Sequence, residues 1–282
     1  QTVLGGINSV DFPTAFAAKE EMRSWKFLQL NPEDLREPTH QDVGLRNVIT
    51  QSGKYLAAAL FRIQQSDEYS LKEVSRELAG FLPNFTEVNV LDDKANQQFI
   101  IKVKEGGGKE FSSRVLSEGT LRLLTLCILE YDKKHTGLLC FEEPENGIHP
   151  FNMKAMAQLL KNLSADFLTT EIPLRQVIVN THSPVLVGEM IRWQDDTNVS
   201  VWLSRLHSLI TNINNQKIKI KITKMSPVTK ISPAIKPGRH ISLRQLPLFP
   251  ISEQERKLTL SEVIRYLETG NPEDVIRVIQ NE

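Results

Sequence analysis

An α/β fold built on a parallel sheet is what this 282-residue sequence predicts, and three observations carry the prediction. Two short apolar runs, "GLLCFEE" (137–143) and "LRQVIVNTHSP" (174–184), have the unbroken hydrophobicity of strands buried on both faces. Between them "FNMKAMAQLLKNLSAD" places Met153, Met156, Leu159, Leu160 and Leu163 on one side of a helix, as a parallel crossover requires. Before them "GTLRLLTLCILEYDKK" reads as a helix that is amphipathic at its start and buried further on.

The earlier elements follow in order. "RSWKFLQLNPEDLREP" reads as a strand closed by a turn at Asn31-Pro32. "GKYLAAALFRIQ" has apolar residues at helical spacing. "SLKEVSRELAGFLP" opens on Ser70 and Glu73 in capping-box register and predicts a second helix. "TEVNVLD" and "QQFIIKVK" predict strands, with "EGGGKEF" as a hairpin tip. Beyond Trp193 the pattern loosens. "VSVWLS" and "QKIKIKIT" are strand candidates, a Pro-rich connector follows, and two short helices are expected, one within Leu258–Thr269 and one after Asn271-Pro272.

At 40% hydrophobic and 24% charged residues, the composition is that of an ordinary globular protein. Thirty-four basic side chains balance thirty-four acidic ones, so net charge selects no partner. The distribution is uneven: from Thr197 to Ser252 there is no Asp or Glu but nine Lys and Arg. Cys127 and Cys140 sit in apolar runs and are expected as free thiols in a reducing compartment. With no run long enough to cross a bilayer and no signal peptide, a cytoplasmic location and no membrane partner are expected.

The first strand end carries Glu142 and Glu143, then Pro144, Glu145, Asn146, Gly147 and His149. In an α/β sheet the carboxyl ends of strands form the ligand crevice. One acid there can hold Mg²⁺ and its neighbour can deprotonate an attacking water. The plain alternative is solvated charge at a strand end. The second strand ends in Thr181, His182 and Ser183, where a His can reach a phosphate or serve structure alone. In "VLSEGTLRLL", Ser117, Glu118 and Gly119 open a helix whose free N–H groups make an anion site; simple capping by Ser117 explains the same residues.

In that order and spacing, "LSEGT", "LLCFEEPENGIHP" and "VIVNTHSP" resemble the distal half of an ABC-type ATPase head. The likeness is to the branch that includes RecF, the SMC proteins and the predicted ATPases akin to overcoming-lysogenization-defect nucleases. It covers Leu116 to Pro184 closely and "SWKFLQLNPEDLREP" more loosely. The resemblance implies a P-loop NTPase-like layered sheet with flanking helices, plus a small α+β C-terminal extension. It divides the chain into a middle region (1–110), a distal ATPase lobe (111–195) and a basic extension (196–282). It further implies ATP and Mg²⁺ as ligands, with Glu142 as the metal-holding Walker B acid, Glu143 as the catalytic acid and His182 as the switch histidine. Ser117, Glu118 and Gly119 would meet the γ-phosphate of ATP held by an opposite head, and Asn146 to His149 would form the D-loop. The implied partner is a second head, identical or not, in DNA maintenance or defence against phage.

A phosphate loop of the form G-x-x-x-x-G-K-[ST] does not occur in these residues. Gly53-Lys54 is followed by Tyr55 and preceded at the critical position by Val48; Gly108-Lys109 is followed by Glu110 and preceded by Val103. In the resembled heads that loop lies in an N-terminal lobe, so it is expected to lie before Gln1 or on another chain, and this chain alone is expected not to hydrolyse ATP. The alternative from another class is a non-catalytic DNA- or protein-interaction module that keeps the fold.

Two features lie outside the resemblance. "QKIKIKIT" sets Lys217, Lys219 and Lys221 on one strand face, either as protection of an edge strand or as a phosphate-tracking surface for DNA. "QLPLF" (Gln245 to Phe249) resembles the peptide with which bacterial proteins dock on the sliding clamp; a loop tacking Leu248 and Phe249 onto the core is the plain alternative. The acid-free window leaves no room for an appended metal-dependent nuclease.

Overall fold

Every residue from Leu121 to Leu129 is buried, so the helix that carries them, Glu118–Tyr131, has no solvent face along that stretch. Such a helix must be wrapped by other elements. The computed structural model describes residues 4–7, 11–44, 48–165, 174–193, 198–213, 216–228 and 253–269. The chain forms two compact units, Gln1–His182 and Ser183–Glu282.

In the first unit α1 (Pro13–Ser24) leads into β1 (Lys26–Leu28). The turn expected after this strand is instead a short helix, α2 (Pro32–Arg36). Asn31 caps it, its Oδ1 accepting the Glu33 N–H at 3.0 Å, and Pro32 suits the first turn. After β2 (Thr39–His40) and α3 (Gln41–Gly44) come α4 (Leu56–Ser66) and α5 (Glu68–Phe81). The Ser70–Glu73 capping box does not form. Asp67 caps α5 by accepting the Tyr69 N–H at 3.0 Å, and the Ser70 hydroxyl donates to Asp67 Oδ2 at 2.6 Å. An aspartate both accepts the free N–H and carries the charge that a helix N-terminus favours.

The strands β3 (Phe85–Asp93), β4 (Gln98–Glu105) and β5 (Glu110–Ser112) form an antiparallel sheet in which β4 pairs with β2, β3 and β5. The expected hairpin tip is present: the Glu105 N–H donates to the Lys109 carbonyl at 2.9 Å, and Gly108 supplies a φ of +82°. Phe61 of α4 stacks on Phe99 of β4, with ring centroids 4.2 Å apart.

The buried helix is α6 (Glu118–Tyr131); β6 (Gly137–Glu142), α7 (Met153–Asn162) and β7 (Arg175–Asn180) follow. β1, β6 and β7 make the expected parallel sheet in that order, with Leu28 opposite Phe141 and Glu142 opposite Asn180. All five residues of the Met153–Leu163 stripe are buried. β7 departs from expectation. Ile178 is 50% exposed, because it shares a face with the exposed Gln176 and Asn180, and no described residue covers that face, while Arg175, Val177 and Val179 point to the covered one.

At the start of the strands Asp132 accepts a hydrogen bond from Arg62 at 3.0 Å, and Arg175 donates to the Leu129 and Asp132 carbonyls. His135 lies fully buried beside them, and that burial pushes its pKa down to about 4. Cys127 is buried and Cys140 half-buried, both as free thiols.

The second unit contains α8 (Pro184–Ile191), β8 (Trp202–Ile213), β9 (Gln216–Pro227) and α9 (Glu253–Leu267). The two candidate strands are the arms of one long antiparallel hairpin, with Leu206 opposite Thr223. Its base packs on a small core of Ile191, Val228, Val263 and Leu267, and Arg205 pairs with Glu262 at 2.8 Å. The helix expected after Asn271-Pro272 and the Gln245 to Phe249 peptide lie outside the described residues. None of the described helices is long and apolar enough to cross a membrane.

The contact between α5 and α6 is pH-sensitive. Burial, then the charge of Glu77, raises the Glu130 carboxyl to about 8, and burial raises Glu77 as well. A carboxyl whose folded pKa lies above its ordinary 4.5 favours the fold at low pH. That contribution is lost as pH rises from about 4.5 through 8. Glu130→Gln is expected to raise the urea midpoint at alkaline pH relative to wild type, with the advantage shrinking toward acid pH. An advantage that does not change with pH would contradict this assignment.

Candidate functional site

The parallel pairing of β6 with β7 sets two strand ends side by side. Glu142 closes β6 opposite Asn180, whose Nδ2 donates to both Glu142 carboxylate oxygens at 2.9 and 3.1 Å. Glu142 is exposed and held in place. Glu143 follows in the left-handed region, with φ of +43°. For a residue with a side chain this costs about 1–2 kcal/mol and persists only where the surroundings fix it. Here the Glu143 N–H donates to the Asn180 carbonyl at 2.8 Å, and Asn146 Nδ2 donates to Glu143 Oε2 at 2.8 Å. The other oxygen, Oε1, lies 3.7 Å from His182 Nε2. This is too long for a hydrogen bond and close enough for an ion pair once the imidazole is protonated. His182 is 79% exposed at its side chain, so both groups are open to a ligand.

The loop after β6 also receives the start of α6. Ser117 caps that helix, its Oγ accepting the Thr120 N–H at 3.2 Å. A Cβ on Gly119 would stand 2.5 Å from the Gly147 carbonyl oxygen, which only a glycine avoids. Gly147 in turn has φ of +74°, and a Cβ there would meet Glu118 Cγ at 3.0 Å. Glu118 is oriented by Arg122, which donates to its Oε1 through Nε at 3.1 Å and Nη2 at 2.8 Å. The structure thus brings Ser117, Glu118, Gly119, Glu142, Glu143, Asn146 and His182 into one neighbourhood. His149 lies on the same loop, but its Nδ1 accepts the Phe151 N–H at 3.2 Å and so caps the short turn of 3-10 helix over Pro150–Asn152.

Sequence reasoning gave no role to three residues that build this site. Glu145 is buried, and its Oε1 accepts both the Thr181 hydroxyl and the His182 N–H, the latter at 3.2 Å. Asn180 holds Glu142, and Arg122 holds Glu118. No sequence signal marks Glu145: the third acid of "EEPE" reads as solvated charge until the strand register places Thr181 and His182 beside it. Among the described residues no group of three or more His, Cys, Asp or Glu side chains forms a ready metal cage. A Mg²⁺ ion does not need one, because it is commonly held by one or two carboxylates together with phosphate oxygens, and Glu142 and Glu143 fit that description. Lys217, Lys219 and Lys221 lie on β9, in the second unit.

Residues 5–188 match the family described as "AAA domain, putative AbiEii toxin, Type IV TA system". No curated protein matches the chain. Among solved structures it is similar to one reported under ATP-driven dimerization and DNA-stimulated activation of SMC ATPases, at 14% identity and a TM-score of 0.38, covering 60% of this chain and 89% of that one. An Smc head domain with coiled coil and joint from Pyrococcus yayanosii gives 12% identity and a TM-score of 0.36, over 59% of this chain and 28% of that one. An Smc head bound to the C-winged helix domain of ScpA gives 12% identity and a TM-score of 0.40, over 71% and 55%. The chain therefore spans about half or less of the length of the latter two.

Gly119→Ala is expected to force the start of α6 away from the loop at Gly147. Overpacking against backbone costs about 1–3 kcal/mol, read as a lower urea midpoint. Gly80→Ala, where a Cβ meets nothing within 4 Å, is the control and should leave the midpoint unchanged or raise it. Equal behaviour of the two variants would show that Gly119 does not approach the Gly147 backbone closely.

Proposed function

The chain belongs to this AAA-domain family, and on that premise we propose that its first unit supplies the distal half of an ATP-binding and hydrolysing head that pairs with a second head when nucleotide is bound. The observation that carries the proposal is the joint placement of a held pair of acids, an exposed His and a capped helix start around one loop.

Each residue then has a role that its surroundings suit. Glu143, with Oε2 engaged by Asn146, keeps Oε1 to accept a proton from an attacking water. His182, exposed and tethered through its own N–H to Glu145, donates to charge developing on a phosphoryl oxygen. Ser117 and the first N–H groups of α6 present an anion site to the nucleotide of the opposite head, and Glu118 and Gly119 lock that site to the Asn146–His149 loop. Glu142, oriented by Asn180, would hold Mg²⁺ with Glu143 nearby. A bound Mg²⁺ neutralises charge on the phosphates and polarises them. The grip on the β- and γ-phosphates needs a G-x-x-x-x-G-K-[ST] loop, which these 282 residues do not contain.

Hydrolysis would release the paired heads, so the product is a change of assembly rather than chemistry on a second substrate. The work served is DNA maintenance or defence against phage, and the toxin–antitoxin system in the family description supports the second. The acid-free basic segment from Thr197 to Ser252 favours one other reading, a non-catalytic DNA- or protein-interaction module that keeps the fold.

Glu143→Gln in the native-length protein separates the two. General-base catalysis contributes about 10²–10⁴-fold, so turnover of ATP should fall by at least about 100-fold while an ATP-bound dimer accumulates in light scattering. Unchanged turnover and assembly would leave the interaction module standing.

A further inference from the structure

The β8–β9 hairpin owes nothing to the nucleotide reading. Each arm has 12 residues, about 40 Å of ribbon at the usual rise. Opposed residues of an antiparallel pair share a face, which separates its two sides. On one side Leu203 packs against the core of the second unit and Arg205 pairs with Glu262. On the other, Leu206 stands opposite Thr223, Ser208 opposite Lys221 and Ile210 opposite Lys219, with Lys217 further along.

This second side is charged and apolar at once. Lys217, Lys219 and Lys221 are exposed, and none has an ion-pair partner among the described residues. Leu206 is 72% and Ile210 66% exposed. The hairpin has no acid of its own, since Asp and Glu are absent from Thr197 to Ser252. Protection of an edge strand explains a lysine or two. It does not explain a row at every second residue, about 7 Å apart, facing the same way as large uncovered apolar side chains.

We infer that this face is a binding surface for double-stranded DNA. A two-stranded ribbon fits the B-form major groove, about 12 Å wide. Its lysine row meets phosphates, and Leu206 and Ile210 offer the apolar contact that thymine methyl groups accept. A-form RNA is disfavoured because its major groove is deep and narrow. A second copy of the hairpin is disfavoured by like charge. No aromatic residue is interleaved with the lysines, so phosphate contacts dominate and any sequence preference is confined to the thymine contacts.

The test is fluorescence anisotropy of the 282-residue chain with a mixed-sequence duplex, without nucleotide, so that its outcome is independent of any ATPase activity. Three phosphate contacts contribute a slope of about −2.7 in log affinity against log salt. The triple variant Lys217→Ala, Lys219→Ala, Lys221→Ala should lose that slope, so that wild type loses about 40-fold more affinity than the variant between about 50 and 200 mM salt. The substituted side chains are exposed, and an unchanged thermal melt establishes that the variant is folded. Equal slopes, no binding by wild type, equal binding of an RNA duplex, or capture by phosphatidylserine vesicles in place of DNA would each overturn the inference.

Discussion

One buried carboxylate ties the site together. Glu145 Oε1 accepts from the Thr181 hydroxyl and from the His182 backbone N–H, joining the loop after β6 to the end of β7. A buried acid is costly unless hydrogen bonds satisfy it, and the two bonds to Oε1, with Oε2 buried and unpaired among the described residues, are what hold the loop and the strand end to each other. With that tie in place, Asn180 is positioned to hold Glu142 and to take the Glu143 N–H on its carbonyl. The strained backbone at Glu143 is then fixed from both sides.

The second constraint is steric. Gly119 and Gly147 allow the start of α6 to reach the same loop, and a side chain on either would separate them. α6 itself cannot shift easily, because nine successive residues of it are buried. A rigid central helix therefore delivers its free N–H groups to the place where two parallel strands deliver acids and an imidazole. The polar residues at the other end of the sheet, Arg62, Asp132, His135 and Arg175, anchor the strand starts and take no part in that delivery.

Much of this arrangement is legible in the sequence, and the gaps have physical causes. The α7 stripe is a strong periodic signal and the β6 run a strong unbroken apolar one, and both hold. The sites at the strand ends follow from the parallel order, because adjacent parallel strands end together. The start of α5 is misread because Asp67 and Ser70 both have capping chemistry, and the structure gives the cap to the acid. The burial of β7 is misread because the hydrophobicity of a strand does not report whether both faces of the sheet are covered there. Glu145 is invisible for a different reason: a third acid in an acidic run looks solvated until the register puts Thr181 and His182 beside it. The contact between Gly119 and Gly147 joins residues far apart in sequence and leaves no local trace.

In the proposed head these pieces form one surface that closes on nucleotide between two copies. Amide hydrogen exchange of the native-length protein, with and without ATP, is the decisive measurement. Closure of two heads on ATP slows exchange together at the start of α6 around Ser117 to Leu121, in the loop from Glu143 to His149, and at Thr181 and His182. Binding of ATP that leaves these three segments unprotected, or protects only one of them, would contradict it.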